Sequence, residues 1–479
     1  MKLDERQIGA IVEKVVERLG RELSGGGSPA PRAAAPAPWR SSGGGRGIFE
    51  TVEEATSAAG KAFEAFQEVS LDTRYAIVDA IRKTCLEQNE VLSRMAVEET
   101  GLGRMACKLK KNHLAITKTP GPEILKPWCQ SGDHGLSITE RAPYGVIGAI
   151  SPCTNPTETI INNGIGFLSG GNASVFNVHP SARRVSNYLV DVMNQAIEGA
   201  GGPSNLICSI AEPTIASAQG LMKSPGVRLL VVTGGGAVVK AAMASGKRVI
   251  GAGPGNPPVL VDETVDLAYA AEKVIEGASY DNNIICIDEK VLLVVADVAD
   301  QLKREMKKRN VVEVSGNDLR RLEKVLFTGD NHVNREFIGK NASVILDAIG
   351  IKVGDEVRLV LAEVDEKHPL VQHEQLMPVL PLVRVTNVNE GIAMARRVEH
   401  GYGHTAVMYS RDIEALHKMA RTINTSIFVK NAPSVAGIGA EGEGYTSFTI
   451  ASPTGEGLTT AVSFTRERRC TLKEYFRFV

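Results

Sequence analysis

Between residues 146 and 262, short apolar runs alternate with segments of helical periodicity, and this alternation restricts the possible folds more than any other feature of the chain. A strand followed by a helix, several times in succession, is typical of a parallel sheet with helices on both faces. A second α/β region begins after Asp262, so the sequence predicts an α/β protein. In the first region the predicted strands are 146–150, 173–178, 205–210, 228–232 and 247–250, and the predicted helices are 157–168, 182–198, 213–222 and 236–245. In the second region the predicted helices are 266–277, 298–308 and 388–398, and the predicted strands are 291–297, 405–409 and 426–429.

The segments around these two regions have weaker patterns. Thr51 and Glu54 form a capping-box pattern at the start of a helix that is predicted to end at Phe66. The glycine-rich segment 434–460 is predicted to be loop rather than core, and residues 470–479 are predicted to form a terminal strand. Further predicted elements are helices over 72–101 and 104–117 and short strands between 136 and 150.

The size and composition of the chain exclude several classes of function. With 479 residues, 43% of them apolar, the chain is long enough for large cores and at least two domains. A net charge of −1 gives no basic surface for nucleic acid or an acidic membrane. Seven cysteines without a C-x-x-C pair favour a reduced protein with no disulfide framework or metal site. No apolar run approaches the roughly 20 residues that span a bilayer, so we expect a soluble, cytoplasmic protein.

The first 47 residues differ from the rest of the chain. Residues 1–20 have apolar side chains at helical spacing with charged residues between them, which predicts a short amphipathic helix. Residues 21–47 are rich in glycine, proline, alanine and serine and are predicted to be a flexible linker. A tethered apolar helix either packs on its own protein or binds a partner, and both interpretations remain open at this point.

Two local patterns suggest chemistry. Cys286 follows a polar turn at residues 281–283 and precedes a strand-like run, which suits either a nucleophile or an inert buried thiol. Thr233, Gly234 and Gly235 connect a predicted strand to a predicted helix, a geometry that binds phosphate, although the G-x-G-x-x-G spacing is missing. Residues 251–255 (GAGPG) are closer to that motif, but the prolines that follow them exclude the helix that a dinucleotide-binding loop requires.

Taken together, six separated motifs resemble those of the aldehyde dehydrogenase superfamily, and within it those of the CoA-acylating aldehyde dehydrogenases of bacterial microcompartments. The resemblance covers residues 48–479, and several motifs in the right order are far more specific than one alone. The motifs are SPCTNP at 151–156, GNA at 171–173 with HPS at 179–181, VTGG at 232–235, NNIIC at 282–286, EQLMPV at 374–379 and SPTGEG at 452–457.

The resemblance implies a domain organisation and a set of partners. It implies a Rossmann-like NAD-binding domain, an α/β catalytic domain and a small oligomerisation element that makes at least a dimer, and it implies that residues 1–20 are an encapsulation peptide. The protein is then expected in a microcompartment lumen, bound to shell or cargo proteins, with no nucleic-acid or membrane partner. The NAD-binding domain would be formed by 48–130 and 145–262, the catalytic domain by 263–454, and the oligomerisation element by 131–144 and 455–479.

The resemblance also implies a mechanism for a short-chain aldehyde such as propionaldehyde or acetaldehyde. The Cys286 thiolate would attack the aldehyde and form a thiohemiacetal, whose oxyanion is stabilised by the Asn155 side-chain amide and the Cys286 N–H. Hydride transfer to NAD would leave a thioester on Cys286. Cys153 is then interpreted as an ordinary thiol near the site.

Cofactor contacts follow from the same resemblance. Asn177 stands where many members of the superfamily have a lysine that contacts the adenosine ribose, so the preference between NAD and NADP is open, with NAD favoured. The implied contacts are Thr233, Gly234 and Gly235 near the pyrophosphate, Glu374 on the nicotinamide ribose, and His179, Pro180 and Ser181 near the adenosine.

One departure from the superfamily pattern bears on the second half of the reaction. Where hydrolytic members carry a glutamate that activates water, residues 251–257 (GAGPGNP) contain no carboxylate. A thiol is partly ionised near neutral pH and is intrinsically more nucleophilic than water, so acyl transfer to coenzyme A is expected. We also expect the small residues to leave room for the pantetheine arm. The alternatives are a hydrolytic dehydrogenase that uses another base and a non-catalytic cargo or docking protein.

Overall fold

The computed structural model describes residues 45–329 and 332–479. The predicted helix over 1–20 and the predicted linker as far as residue 44 lie outside the described residues. In the part of the chain that is described, no helix has the length and apolar content that crossing a membrane requires.

The predicted alternation of strands and helices forms a six-stranded parallel sheet, here called the first sheet. Its central strand, Val146–Ile150, is buried at every position, as expected of a parallel strand covered on both faces. From this strand the chain first builds the sheet to one side and then returns to build the other side with Val227–Thr233. Adjacent strands whose connections leave in opposite directions form a crevice at their carboxyl ends, where ligands of such sheets bind. In spatial order the strands are Ile48–Phe49, Ile207–Ile210, Ala173–Asn177, Val146–Ile150, Val227–Thr233 and Arg248–Ala252.

Between residues 45 and 257 the structure describes eight α-helices, and all of them were predicted from the sequence to within a few residues, with the long pattern over 72–101 divided in two. The capping box is confirmed: Thr51 Oγ1 accepts from the Glu54 N–H at 3.2 Å, and Glu54 Oε2 accepts from the Thr51 N–H at 3.2 Å. The helices are Val52–Phe66, Leu71–Glu87, Asn89–Thr100, Met105–Lys118, Pro156–Ser169, Arg183–Gly199, Ile215–Lys223 and Gly236–Met243.

The second half of the chain forms a seven-stranded parallel sheet, the second sheet. Residues 253–257 carry the chain directly from the last strand of the first sheet to Pro258–Val261 of the second, and no helix follows Gly255, as predicted. In spatial order the strands are Val311–Val314, Leu359–Glu363, Val379–Val385, Val291–Val295, Pro258–Val261, Thr405–Tyr409 and Ile427–Lys430. The helices are Leu267–Ala278, Ala296–Lys307, Gly316–Leu326, Ala342–Asp347, Pro369–Gln372, Val388–Val398 and Ile413–Ile423.

A third, antiparallel sheet combines Trp128–Gly132, Gly135–Pro143 and Thr465–Lys473, with Gly135–Pro143 in the centre. The prediction of a terminal strand over 470–479 was wrong in its bounds, because the strand begins at Thr465 and ends at Lys473. Its sequence, TRERRCTLK, is mostly charged and exposed. The strand is held by its backbone ladder rather than by an apolar face, so periodicity does not reveal it.

The prediction that 434–460 is loop rather than core was correct only for the backbone. Apart from a 3₁₀ turn at Ser434–Ile438 and two two-residue strands, the segment is irregular, yet Phe448 and Ile450 are buried. Asn162, on helix Pro156–Ser169, accepts from the Phe448 N–H at 3.0 Å and donates to the Thr446 carbonyl at 3.3 Å. Buried backbone groups need partners, and here side-chain amides replace a strand ladder.

Candidate active site

Four neighbouring strands of the second sheet are preceded by residues that meet in one place. Glu374 lies before Val379–Val385, Cys286 before Val291–Val295, Gly255 before Pro258–Val261 and His404 before Thr405–Tyr409. These strands are adjacent in this order in the sheet. The residues that approach the amino-terminal edge of the second sheet therefore form one cluster, although up to 149 positions of sequence separate them.

The Cys286 loop is held in an unusual backbone conformation. Asp281, Asn282 and Asn283 have φ values of 44°, 58° and 64°, a region that aspartate and asparagine tolerate better than other residues with a side chain. Asn283 Nδ2 donates to the Ala278 carbonyl at 2.8 Å and to the Glu289 carbonyl at 2.9 Å. The polar residues predicted to turn the chain do so, and their side chains fasten the turn that presents Cys286.

Burial, together with two neighbouring charges, decides the ionisation of the Cys286 thiol. Burial raises the pKa of Cys286 to about 12, the Glu374 carboxylate adds to this increase, and the Lys290 ammonium opposes it. Lys290 is buried and donates to the carbonyls of Asn283 at 3.1 Å and Ile285 at 2.9 Å, on either side of Ile284 in the same loop. The thiol is half-buried, and a pKa of about 12 favours its protonated form at neutral pH.

Glu374 lies against the crossover between the two sheets. Its Oε1 accepts from the Gly255 N–H at 3.2 Å, and burial raises the pKa of its carboxyl while Lys290 lowers it. Residues 251–257 contain no carboxylate, but the fold brings this carboxylate to them from the loop before strand Val379–Val385.

Gly255 is packed rather than open. An ideal Cβ at this position would lie 2.5 Å from the Cys286 carbonyl oxygen and 3.0 Å from His404 Cγ. Gly251 and Gly253 also meet protein atoms, with Val239 at 2.9 Å and Pro453 at 3.2 Å from the ideal Cβ positions. Protein atoms thus lie close to all three glycines, and the expectation that these small residues leave room for a pantetheine arm stays a prediction.

His404 completes the cluster and was not predicted from the sequence. Burial lowers its pKa to about 4, so the imidazole is neutral near pH 7. One ring nitrogen, Nδ1, lies 2.8 Å from Thr405 Oγ1, and the other, Nε2, is buried without a hydrogen-bond partner among the described residues. A neutral imidazole with an unused nitrogen is able to exchange a proton with a nearby thiol.

Asn155 lies on the carboxyl-terminal side of the first sheet, between strand Val146–Ile150 and the helix that starts at Pro156. Its Oδ1 accepts from Lys111 Nζ at 2.5 Å, and Lys111 Nζ also lies 2.6 Å from Asp281 Oδ2. Asp281 belongs to the turn that presents Cys286. The structure thus connects the two residues predicted to act on the aldehyde through a buried lysine, which the sequence analysis missed.

The predicted phosphate turn adjoins the crevice of the first sheet. Strand Val227–Thr233 ends at Thr233, and helix Gly236–Met243 begins two residues beyond Gly234. No atom lies within 4 Å of an ideal Cβ at Gly235, so the backbone of the turn is open to a ligand. The unpaired N–H groups of a helix amino terminus fit the pyrophosphate of a dinucleotide.

The predicted adenosine residues lie at the end of the neighbouring strand. His179, Pro180 and Ser181 are exposed at the carboxyl-terminal side of Ala173–Asn177, and His179 Nδ1 accepts from the Ser181 N–H at 3.1 Å. Asn177 is buried, and its Oδ1 accepts from the Ser217 hydroxyl at 2.6 Å. These residues lie along the same edge as the phosphate turn, as a bound dinucleotide requires.

This arrangement defines an α/β protein with one site between two parallel sheets. The carboxyl-terminal edge of the first sheet lies on one side of the site, and the loop that carries Cys286, at the amino-terminal edge of the second sheet, lies on the other. The chain belongs to the aldehyde dehydrogenase family, whose sequence profile matches residues 46–345 and 357–448. Acetaldehyde dehydrogenase (acetylating) EutE of Escherichia coli K12 is 47% identical over 439 residues, which cover 90% of this chain and 94% of that protein.

Two solved structures are similar over nearly the same part of the chain. A Rhodopseudomonas palustris propionaldehyde dehydrogenase with bound CoA and an acylated cysteine has a TM-score of 0.88 and 48% identity, covering 89% of this chain and 98% of that one. A propionaldehyde dehydrogenase from the Clostridium phytofermentans fucose utilisation bacterial microcompartment has a TM-score of 0.88 and 44% identity, covering 90% of this chain and 99% of that one.

Structures of the Clostridium protein also exist with a cysteine replaced by alanine and with a histidine replaced by alanine. The interval between those two positions equals the interval between Cys286 and His404 in this chain. A cysteine and a histidine thus stand at the same spacing in that relative.

Proposed function

We propose that the protein oxidises a short-chain aldehyde with NAD and transfers the acyl group to coenzyme A through a thioester on Cys286. The observation that carries the proposal is the position of Cys286, on a fastened turn beside a crossover with no carboxylate of its own. The similarity to acetylating and propionaldehyde dehydrogenases, one of them with bound CoA and an acylated cysteine, supports the same chemistry.

In the first step the Cys286 sulfur forms a bond to the aldehyde carbon, and the carbonyl π electrons become a lone pair on oxygen. Asn155 Nδ2 and the Cys286 N–H donate hydrogen bonds to this oxyanion, and such a donor is worth about 10²–10³ in turnover. Because the pKa of Cys286 is raised to about 12, its proton must leave as the bond forms. The Glu374 carboxylate, whose charge acts on this thiol, and the neutral His404 imidazole are the two candidates to accept it.

NAD, when bound at the turn of Thr233, Gly234 and Gly235, supplies the acceptor for the hydride that leaves the tetrahedral carbon. The C=O bond re-forms as the hydride leaves, and Cys286 then carries a thioester. We assign Glu374 to the nicotinamide ribose, where a carboxylate can accept two hydrogen bonds, and His179, Pro180 and Ser181 to the adenosine. We favour NAD over NADP, while Asn177 stands where many members of the superfamily have a lysine that contacts the adenosine ribose.

In the last step the sulfur of coenzyme A adds to the thioester carbon, and the bond to the Cys286 sulfur breaks. The products are acyl-CoA and a thiolate that recovers its proton. One aldehyde, one NAD and one CoA thus give one acyl-CoA, one NADH and one proton.

The test is an assay of NADH formation with acetaldehyde, propionaldehyde and butyraldehyde, with and without CoA. Without CoA we expect a burst of at most one NADH per active site and an acyl adduct on Cys286 by mass spectrometry. Cys286→Ala should give neither. Cys85→Ala is a matched control, because burial also raises the pKa of Cys85 to about 12 and this residue lies in a helix away from the site. An adduct on another residue, or no CoA-dependent NADH with any of these aldehydes, would contradict the proposal and favour a cargo or docking protein.

A second candidate function is hydrolysis of the thioester to the carboxylic acid. One observation favours it, namely the Glu374 carboxylate that the fold places against the crossover with a raised pKa, as a base for water would have. Sustained NADH formation without CoA, with the carboxylic acid as the product, would establish this alternative. A single burst without CoA rules it out.

We further propose that residues 1–20 bind a shell or cargo protein and place the enzyme in a microcompartment lumen. The amphipathic pattern and the linker after it support this, as does the microcompartment origin of one relative. Deletion of residues 1–20 should leave turnover unchanged and abolish co-localisation with the shell. Unchanged localisation of the shortened protein would contradict the proposal.

Finally, we propose that the third sheet joins copies of the chain into a dimer or a tetramer. Strand Trp128–Gly132 is exposed at every position, and the side chains of Tyr475 and Phe478 are 99% and 92% exposed. Large apolar side chains exposed together mark an interaction surface. Removal of residues 474–479 should reduce the molar mass found by light scattering, and an unchanged mass would argue against this surface.

A further inference from the structure

Four charged side chains are fully buried between the two halves of the site. Lys108 and Lys111 come from helix Met105–Lys118, Glu158 from the helix after Asn155, and Asp281 from the turn before Cys286. None of the four side chains has any exposure to solvent. Burying ions costs several kcal/mol each unless they are paired, so a cluster with two charges of each sign calls for a reason.

The contacts within this cluster fasten two loops to one helix. Lys108 Nζ donates to the Thr154 carbonyl at 2.6 Å and lies 3.1 Å from Asp281 Oδ2. Lys111 Nζ lies 2.6 Å from the same Asp281 oxygen and 3.1 Å from Glu158 Oε1. The backbone N–H of Arg104 donates to the other Asp281 oxygen at 2.7 Å. These contacts hold helix Met105–Lys118, the loop of Asn155 and the turn before Cys286 in fixed positions relative to one another.

Lys111 also determines which way the Asn155 amide points. An ammonium group can only donate, so the atom it contacts at 2.5 Å has to be the amide oxygen. Asn155 Nδ2 therefore points away from Lys111, and its one contact among the described residues is Thr154 Oγ1 at 3.4 Å. One of its two N–H groups remains available. A rotation by 180° would present the amide oxygen to the aldehyde oxygen and remove the donor.

The charges of the cluster favour the ammonium form of Lys111, which is the form that donates to the Asn155 amide oxygen. Burial lowers the pKa of Lys111, but Asp281 and Glu158 outweigh burial and the net pKa is raised. Lys108, which lacks the Glu158 contact, has a lowered pKa because burial dominates. The lysine that holds the amide is thus the one whose charged form the cluster favours.

We propose that Lys111 is a positioning residue that fixes the orientation of the Asn155 amide and connects it, through Asp281, to the turn that carries Cys286. The inference rests on the proposed role of Asn155 as a donor to the oxyanion. The Asn155 amide then donates to the oxyanion only while the buried Lys111 ammonium holds the amide oxygen. The cluster therefore acts in the first half of the reaction, in which the thioester on Cys286 forms.

The test is a double-mutant cycle on the full-length protein, read out as the single-turnover rate of NADH formation without CoA. We expect Lys111→Met to slow this step by about 10²-fold, comparable to Asn155→Ala, because the donor is lost in both. The double variant should be no slower than Asn155→Ala alone, since the two residues act as a unit. The affinity for NAD and the rate of Cys286 alkylation by iodoacetamide should change less than threefold in Lys111→Met.

Two further variants keep the test decisive. Lys111→Met with Glu158→Gln removes one charge of each sign and leaves Lys108 and Asp281 paired, so it guards against a variant that fails to fold. Lys108→Met is the matched control, because Lys108 has the same burial and the same Asp281 partner but touches a backbone carbonyl instead of the amide. Its effect should multiply with that of Asn155→Ala.

The outcomes separate this inference from the function on which it rests. A wild-type rate for Asn155→Ala would overturn the oxyanion role itself. A slow Asn155→Ala together with a wild-type rate for Lys111→Met would overturn the positioning role alone. Equal, non-additive effects of Lys108→Met and Lys111→Met would show that the cluster only stabilises the fold, which also overturns the inference.

Discussion

Substitution of Gly255 by alanine tests the geometry of the site most directly. The added Cβ would lie 2.5 Å from the Cys286 carbonyl oxygen, where ordinary contact begins at 3.4 Å. The crossover and the cysteine loop must therefore separate by about 0.9 Å, and a misplacement of this size typically costs about 10²-fold in rate. On the other side, the His404 ring at 3.0 Å limits how far the crossover can move.

The assay for Gly255→Ala is stopped-flow measurement of NADH with and without CoA. We expect the burst without CoA to slow by about 10²-fold, because the contact involves the residue that is acylated in the first half of the reaction. Gly60→Ala is the control, since no atom lies within 4 Å of its ideal Cβ and it lies inside a helix, where alanine adds about 0.5–1 kcal/mol of stability. A normal burst with slow CoA-dependent turnover would refute the reasoning and support the prediction that glycine makes room for pantetheine.

Three further predictions follow from single contacts. Glu374→Gln should lower the pKa of Cys286, because the carboxylate raises it, and should speed its alkylation at pH 8 severalfold; an unchanged rate would mean that the carboxylate does not influence the thiol. Because the pKa of His404 is lowered to about 4, the unfolded chain takes up this proton first, and up to about 3 kcal/mol of stability should be lost between pH 6.5 and 4. Urea unfolding at pH 7 and pH 5 should show a smaller loss for His404→Gln than for the wild type. Lys118→Met should make residues 439–442 more sensitive to proteolysis, because Lys118 Nζ donates to the carbonyls of Gly439 and Gly442 at 2.7 Å, and an equal cleavage rate would show that these bonds do not hold the loop.

The two parallel sheets were predictable because their strands are buried on both faces. Continuous apolar runs such as Val146–Ile150 are bounded by glycine, proline and asparagine, so their limits are visible in the sequence. The third sheet and the segment 434–460 were less predictable for a common reason. Their backbones are held by a ladder or by asparagine side chains rather than by an apolar stripe, and neither leaves a period in the sequence.

The residues of the candidate site were predictable only where they lie in short sequence motifs. Cys286, Asn155 and the turn at Thr233 lie in short motifs next to strand ends. Lys111, by contrast, lies in a helix with many polar residues, where a lysine normally faces solvent. Its burial depends on Asp281, which is 170 positions away, so no window of sequence contains the reason for it.

The path of residues 253–257 between the two sheets accounts for two observations together: these residues carry no carboxylate, and they lie close to the Cys286 loop. Residues 253–257 run directly from the carboxyl-terminal edge of one sheet to the amino-terminal edge of the other, so they must pass the cysteine loop closely. Gly255 allows this passage, and no side chain fits at that position without moving the Cys286 carbonyl. The carboxylate that does reach the crossover, Glu374, accepts the Gly255 N–H instead of facing an open space. For Glu374 to activate water there, its bond to the Gly255 N–H would have to break, whereas a thiol is partly ionised near neutral pH and does not depend on that carboxylate.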